Sequence, residues 1–305
     1  MSAESKCFEQ NPFIKRAIAA ATIVAAGTFS LAGCGASGES GVGNDVSYPQ
    51  CDPSNTSATI NLPNEHSFAI VGLNNGIPMS ENPCFEAQMV WAETASGDTS
   101  LPKASIYVNS GNPGKANAAN WPSSGQFQGI SCKGEDTEAC AFSYGQKVAE
   151  TDLSIYKTKS GQSHNQAPQN FICWMDTEVG NNWQCNKGMS DLCGDSNVEQ
   201  VQSGALSRNA AVLNGMAAVF KSNDIKVGIY TNTNQLNKII DNTVSKQPDK
   251  YAALSNVPVW LVSGAHTKEE AQVSCTQHEF GGLGKITISQ AVSANQDIID
   301  KDVVC

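Results

Sequence analysis

Arginine is nearly missing from this 305-residue chain. Beyond an N-terminal apolar segment Arg208 is the only one, and 29 acidic residues outweigh 19 basic ones. So little positive charge leaves no basic patch for phosphates, and no nucleic-acid partner is expected. No G-x-G-x-x-G follows a strand-like run, which removes the main reason to expect a dinucleotide fold. No G-x-S-x-G occurs to support a serine hydrolase. No C-x-x-C pair occurs either, and the long spacings between cysteines argue against zinc, the rival use for so many thiols. No metal or cofactor is expected. His66, His164, His266 and His278 have no acid partner at a readable spacing and read as surface histidines. There is no internal repeat.

What is present begins at the N-terminus. Lys15 and Arg16 precede an apolar run from Ala17 to Ala32, the charged and hydrophobic regions of a signal peptide. The run is short for a spanning helix, which takes about 20 residues. It ends in Leu31-Ala32-Gly33-Cys34, which resembles the bacterial lipobox. That resemblance implies removal of residues 1–33, a lipid on Cys34, and an extracytoplasmic protein held to the cell membrane by that lipid. Residues 34–43, rich in Gly and Ser, then read as a flexible tether, leaving 44–305 as one domain.

Setting aside Cys7 and Cys34 leaves nine of the eleven cysteines, a load that suits an oxidising exterior. Nine is odd, so one thiol is expected to be free. Cys173, inside the apolar run Phe171 to Met175, is the candidate. The preferred pairings are Cys51 with Cys84, Cys132 with Cys140, Cys185 with Cys193, and Cys275 with Cys305, although spacing alone does not fix connectivity.

Past the signal, short β-rich runs alternate with amphipathic stretches. Strands are expected at Asp45 to Tyr48, Phe68 to Leu73, Ala104 to Asn109, Phe171 to Asp176, Lys226 to Tyr230, Val257 to Val262 and Lys285 to Gln290, with an eighth in the last fifteen residues. Helices are expected at Pro83 to Ala95, Ala139 to Leu153, Ala205 to Asn223 and Lys268 to Cys275. In the third of these, Leu206, Ala210, Leu213, Met216, Ala217 and Phe220 recur at helical spacing behind a Ser203 cap. Alternation of this kind predicts an α/β fold, a parallel sheet with helical crossovers closed into a single-domain (β/α) barrel of the TIM type.

Chemistry in such a barrel sits at the C-terminal ends of the strands. The run Phe171 to Glu178 ends in two carboxylates, and period-2 alternation puts Asp176 and Glu178 on one face with Trp174 below them. Two acids aimed into one cavity are costly unless they are used or paired. Their mutual repulsion would raise one pKa while the other group stays ionised, the division of labour that glycosidic cleavage needs. Asp45 places an acid at the first strand, Tyr230-Thr231-Asn232 ends another, Trp260 lies in the next, and Gln290 closes a late one.

Taken in order, D-V-S-x-x-Q from Asp45 to Gln50, D-x-E at Asp176 to Glu178, the Tyr-Thr-Asn strand end, the Trp-bearing strand and a late Gln followed by Asp resemble the family 25 glycoside hydrolases. The resemblance implies an irregular (β/α) barrel and lysozyme-type cleavage of peptidoglycan or a related N-acetylated glycan; a monomer is expected. It implies Glu178 as general acid and Asp176 as the group that steadies an attacking acetamide, a substrate-assisted route. It implies Asp45 as an acid holding the cluster, and Asp300 as the acid near the C-terminus, with Asp297 and Asp302 as alternatives. Gln50, Tyr230, Trp260 and Gln290 would line the sugar site. Trp121 and Trp183, in polar loops near the mouth, are candidate sugar platforms, whereas Trp91, on a helix with Phe85 and Met89, reads as packing. The third strand, Ile106 to Gly114, departs from the family pattern, as do the long Asn- and Gly-rich loops and added cysteines. Retained acids favour an enzyme; the altered strand favours a non-catalytic glycan-binding or envelope-organising lipoprotein.

Overall fold

A computed structural model describes residues 41–52, 54–60, 62–160, 171–184, 204–276, 280–292 and 299–305. Eight strands close into a barrel: β1 (Val42–Val46), β2 (Ala69–Gly72), β3 (Ala104–Asn109), β4 (Ile172–Asp176), β5 (Lys226–Thr231), β6 (Val259–Ala265), β7 (Ile286–Ala291) and β8 (Lys301–Val304). Their order round the barrel is their order in the chain, with β8 beside β1. All neighbouring pairs from β1 to β7 are parallel, but β8 runs antiparallel to both β7 and β1. This reversal departs from the all-parallel arrangement expected from the sequence. The cause is chain length: residues 292–300 are fewer than the dozen or so a parallel crossover requires.

The strand ends are also shifted. β1 begins at Val42, inside the stretch read as tether, and Tyr48, expected in the strand, instead opens a 3₁₀ turn over Tyr48–Gln50. Pairing on both sides draws the Gly-bearing segment into the sheet, and Gly43 has a positive reason to be there. A Cβ at that position would meet the Phe68 ring.

Among the longer helices are α1 (Phe85–Ala92), α2 (Glu138–Lys159), α3 (Ala205–Ser222), α4 (Thr233–Ile239) and α5 (Lys268–Ser274). Thr137 caps α2 by accepting from the Cys140 amide, and Lys157 and Lys159 complement the dipole at its other end. The Ser203 cap expected for α3 lies outside the described residues; the residue before the helix is Gly204. α3 is buried on more than the one face that an apolar stripe predicts, because it packs on α2 as well as on the barrel. Gly145 and Gly215 make that crossing possible, since a Cβ at either would run into the other helix's backbone, at Val212 O and Phe142 O.

The two largest apolar clusters form two layers. The larger lies between strands and helices and includes Val71, Phe85, Met89, Val148, Cys173, Leu213 and Phe220. The smaller fills the barrel itself with Phe68, Ile70, Ile172, Trp174, Trp260 and Ile288. Each buried indole there removes roughly 200 Å² from water, worth on the order of 5 kcal/mol.

Disulfides join Cys51 to Cys84, Cys132 to Cys140, and Cys275 to Cys305, and Cys173 is a buried free thiol, all as expected. The Cys185–Cys193 pairing lies outside the described residues. Three bridges are consistent with an oxidising, extracytoplasmic setting. Among the described residues no helix is long and apolar enough to cross a membrane.

His66 corrects the surface assignment: it is buried and stacks on Trp91 with ring centroids 4.4 Å apart, and burial lowers its pKa. Its neighbour Trp91 packs partly against the core, its indole N–H donating to Pro63 O. His266 is exposed, while His164 and His278 lie outside the described residues.

Candidate active site

Alternation along the strands turns Asp45, Tyr107, Asn109, Trp174, Asp176, Tyr230, Trp260, Gln290 and Asp302 toward the barrel axis. The pairing register sets Asn109 beside Asp176, Asp176 beside Tyr230, Tyr230 beside Trp260, and Gln290 beside Asp302. Most of the polar members gather where β1 to β7 end, above the floor made by Trp174 and Trp260, whose rings meet edge to face at 6.0 Å.

Asp176 ends β4 and is buried. Asn109 Nδ2 donates to its Oδ2 at 2.7 Å, while Oδ1 has no hydrogen-bond partner. Its backbone carbonyl accepts from Ser110 Oγ and Asn181 Nδ2, which pins the strand end. Burial, then the neighbouring charge of Glu178, push the Asp176 carboxyl up to about 8 against the donors Asn181 and Asn109. Glu178, two residues on, is half-buried. Gln235 of α4 donates to its Oε1 at 3.0 Å and also accepts from the Val179 amide, so one side chain fixes both backbone and carboxylate.

On the opposite side, Tyr230 donates its hydroxyl to Gln290 Oε1 at 2.8 Å, and Gln290 Nε2 donates to Asp45 Oδ2 at 2.8 Å. Burial and the charge of Asp300 raise Asp45 to about 7. Asp302 is fully buried: Trp260 Nε1 donates to its Oδ1 at 2.7 Å, and its other oxygen meets no N–H or O–H. The Asp302 carboxyl also shares a side-chain hydrogen bond with Asp45. Burial and the charge of Asp45 hold the Asp302 pKa far above the usual carboxylate range. Burial, and then the field of Glu178, Asp45, Asp176 and Asp302, hold the proton of the Tyr230 hydroxyl firmly.

The structure therefore brings Asp45, Asp176, Glu178, Tyr230, Trp260 and Gln290 together as the sequence anticipates. Asp300 acts on Asp45 through its charge, and its backbone carbonyl accepts from Asn44 Nδ2. Asp302, left as an alternative, is the C-terminal acid that bonds Trp260 and Asp45. Asp297 lies outside the described residues, as does Cys34. The Gln50 side chain is used locally, its Oε1 accepting from the Ser47 amide at 2.8 Å to close the turn after β1.

Trp183 is buried, its indole N–H donating to Glu178 O at 2.8 Å, so it braces the acid's backbone and offers no open sugar platform. Trp121 stacks on Tyr144 at 5.4 Å. Residues not singled out from sequence also contribute: Asn109, Gln235 and Asn181 hold the acids, and Tyr107 reaches in from β3, hydrogen-bonded to Ser47 and edge-on to Trp260 at 6.3 Å. The alternation of Tyr107 and Asn109 with Ile106 and Val108 was the available signal. Arg208, buried at the start of α3, is engaged with Gln184 and Asp136.

Two surface hollows, of about 540 Å³ beside α2 and α3 and about 500 Å³ beside the Cys275–Cys305 bridge, hold none of these acids. Fold and site thus define a mixed α/β barrel with a buried acid cluster at one mouth. No protein-family model matches the chain, and no curated protein matches it either.

Proposed function

We propose that this chain is a cell-envelope glycoside hydrolase that cleaves N-acetylated glycan such as peptidoglycan by a substrate-assisted route. In this reading the barrel is an irregular (β/α) barrel with its last strand reversed, held to the outer face of the cell membrane by a lipid on Cys34. The carrying observation is Asp176: a buried carboxyl with one unpartnered oxygen, its pKa raised by burial and then by the charge of Glu178 two residues away. An unpaired buried acceptor is expensive and suits a donor that arrives with a ligand.

The acetamide N–H of an N-acetylated sugar is such a donor. With it bound to Asp176 Oδ1, the acetamide oxygen attacks its own anomeric carbon, the glycosidic C–O bond breaks, and the leaving oxygen takes a proton from Glu178. The proton held by Asp176 at rest passes to Glu178 as the sugar arrives, leaving Asp176 negative beside the cationic ring intermediate. Water then opens that ring, giving a proton back to Glu178. Tyr230, Gln290 and Asp45 form the opposite wall, with Asp302 and Trp260 behind them.

A non-catalytic glycan-binding lipoprotein is the second reading, favoured by β3, where Tyr107 and Asn109 replace the expected family pattern. A thiazoline analogue of the N-acetylated sugar, which mimics the cyclised intermediate, separates the two. Calorimetry should show binding to the parent and at least tenfold weaker binding to Asp176→Leu. Absence of analogue binding by a protein that still sediments with peptidoglycan would favour the binding protein.

A further inference from the structure

Asp152 lies on α2, outside the barrel, yet it is buried to 1 % exposure and no step of the proposed chemistry uses it. Asn74 Nδ2 donates to its Oδ1 at 3.0 Å and to Ser80 O at 2.8 Å. The same amide's Oδ1 accepts from the Asn109 backbone N–H at 2.8 Å. Asn109 in turn donates its side-chain amide to Asp176 Oδ2 at 2.7 Å. All four residues are buried.

Each link fixes the next. An Asn amide can bond either way round until its partners differ in kind. Here two acceptors, Asp152 and Ser80 O, claim the nitrogen, and one donor, the Asn109 N–H, claims the oxygen. That orientation ties the end of β3 to the loop after β2, and it is from the end of β3 that Asn109 reaches Asp176. We infer that Asp152 and Asn74 are positioning residues for Asp176, an outer-layer relay that aims the Asn109 amide at the buried carboxyl of the mouth.

The inference rests on the reading of Asp176 as a working acid, but its test does not need turnover. The titration of Asp176, followed by carboxyl ¹³C NMR in protein labelled at aspartate and assigned with Asp176→Asn, reads the Asn109 hydrogen bond directly. That bond favours the ionised carboxylate, so loosening it raises the midpoint.

Asp152→Leu removes the acceptor and should raise the midpoint by about half a pH unit or more. Asp152→Asn, which keeps an acceptor oxygen for Asn74 but no charge, should leave the midpoint at the parent value and so excludes a field effect of Asp152. Asn74→Ala breaks the relay at its second member and should reproduce the Asp152→Leu shift, which keeps the test open if Asp152→Leu fails to fold. A folded Asp152→Leu or Asn74→Ala protein with the parent Asp176 titration would overturn the inference. Failure of the functional reading shows separately, as a parent protein without glycan cleavage whose Asp176 midpoint still moves in these variants.

Discussion

Gln290 and Asp45 meet across 245 positions of sequence, the amide of the seventh strand donating to the carboxylate of the first at 2.8 Å. The same amide accepts the Tyr230 hydroxyl, so one side chain orders an acid and a phenol on three different strands. Gln290→Leu removes both bonds within a similar volume. Stability should fall by about 2 kcal/mol, measured by urea unfolding, because a partly buried carboxyl and a partly buried hydroxyl each lose a partner. An unchanged midpoint would mean that the wall orders itself by other means.

Gly228 lies beside Trp174 in the register of β4 and β5, and the indole occupies the space a Cβ would take. Gly228→Ala should cost roughly 1–3 kcal/mol through overpacking. Trp174 must then shift under the Asp176–Glu178 pair, so near-ultraviolet circular dichroism should change along with stability. A variant as stable as the parent would show that the barrel floor has slack.

Asp152 gives stability a definite pH dependence. Its carboxyl is raised from 3.8 to about 7, chiefly by burial, so the folded state holds a proton that the unfolded chain releases. The contribution is complete below about pH 3.8, declines as pH rises toward 7, and is gone above that, amounting to on the order of 4 kcal/mol. Asp152→Asn should match the parent near pH 4 and exceed it at pH 8 in parallel urea titrations. A constant difference between the two proteins at both pH values would contradict this assignment.

Much of this was legible because periodicity and strand-end chemistry are local. The run Phe171 to Glu178 announces both its strand and its acids, and helical spacing locates α3. What failed depends on long-range pairing. The reversed β8 spans four residues, too few for a periodic signal, and its register against Gln290 decides that Asp302, not only Asp300, enters the site. The Asn74–Asp152 relay joins a loop to a helix 78 residues away, and no spacing rule connects them. His66 misled because a lone histidine gives no hint of the Trp91 ring on which it stacks, and Trp183 because a polar loop conceals how deeply its indole is set.

Glu178 and Asp176 are proposed to act as a pair that breaks a glycosidic bond. The most direct measurement incubates the protein and its Glu178→Gln variant with purified peptidoglycan, counts new reducing ends and identifies the fragments by mass. The parent should release fragments, with the rate declining as pH rises through about 8, where Asp176 loses the proton the pair needs, and the variant should lose at least a hundredfold. Equal silence from both proteins, or equal release from both, would contradict the proposal.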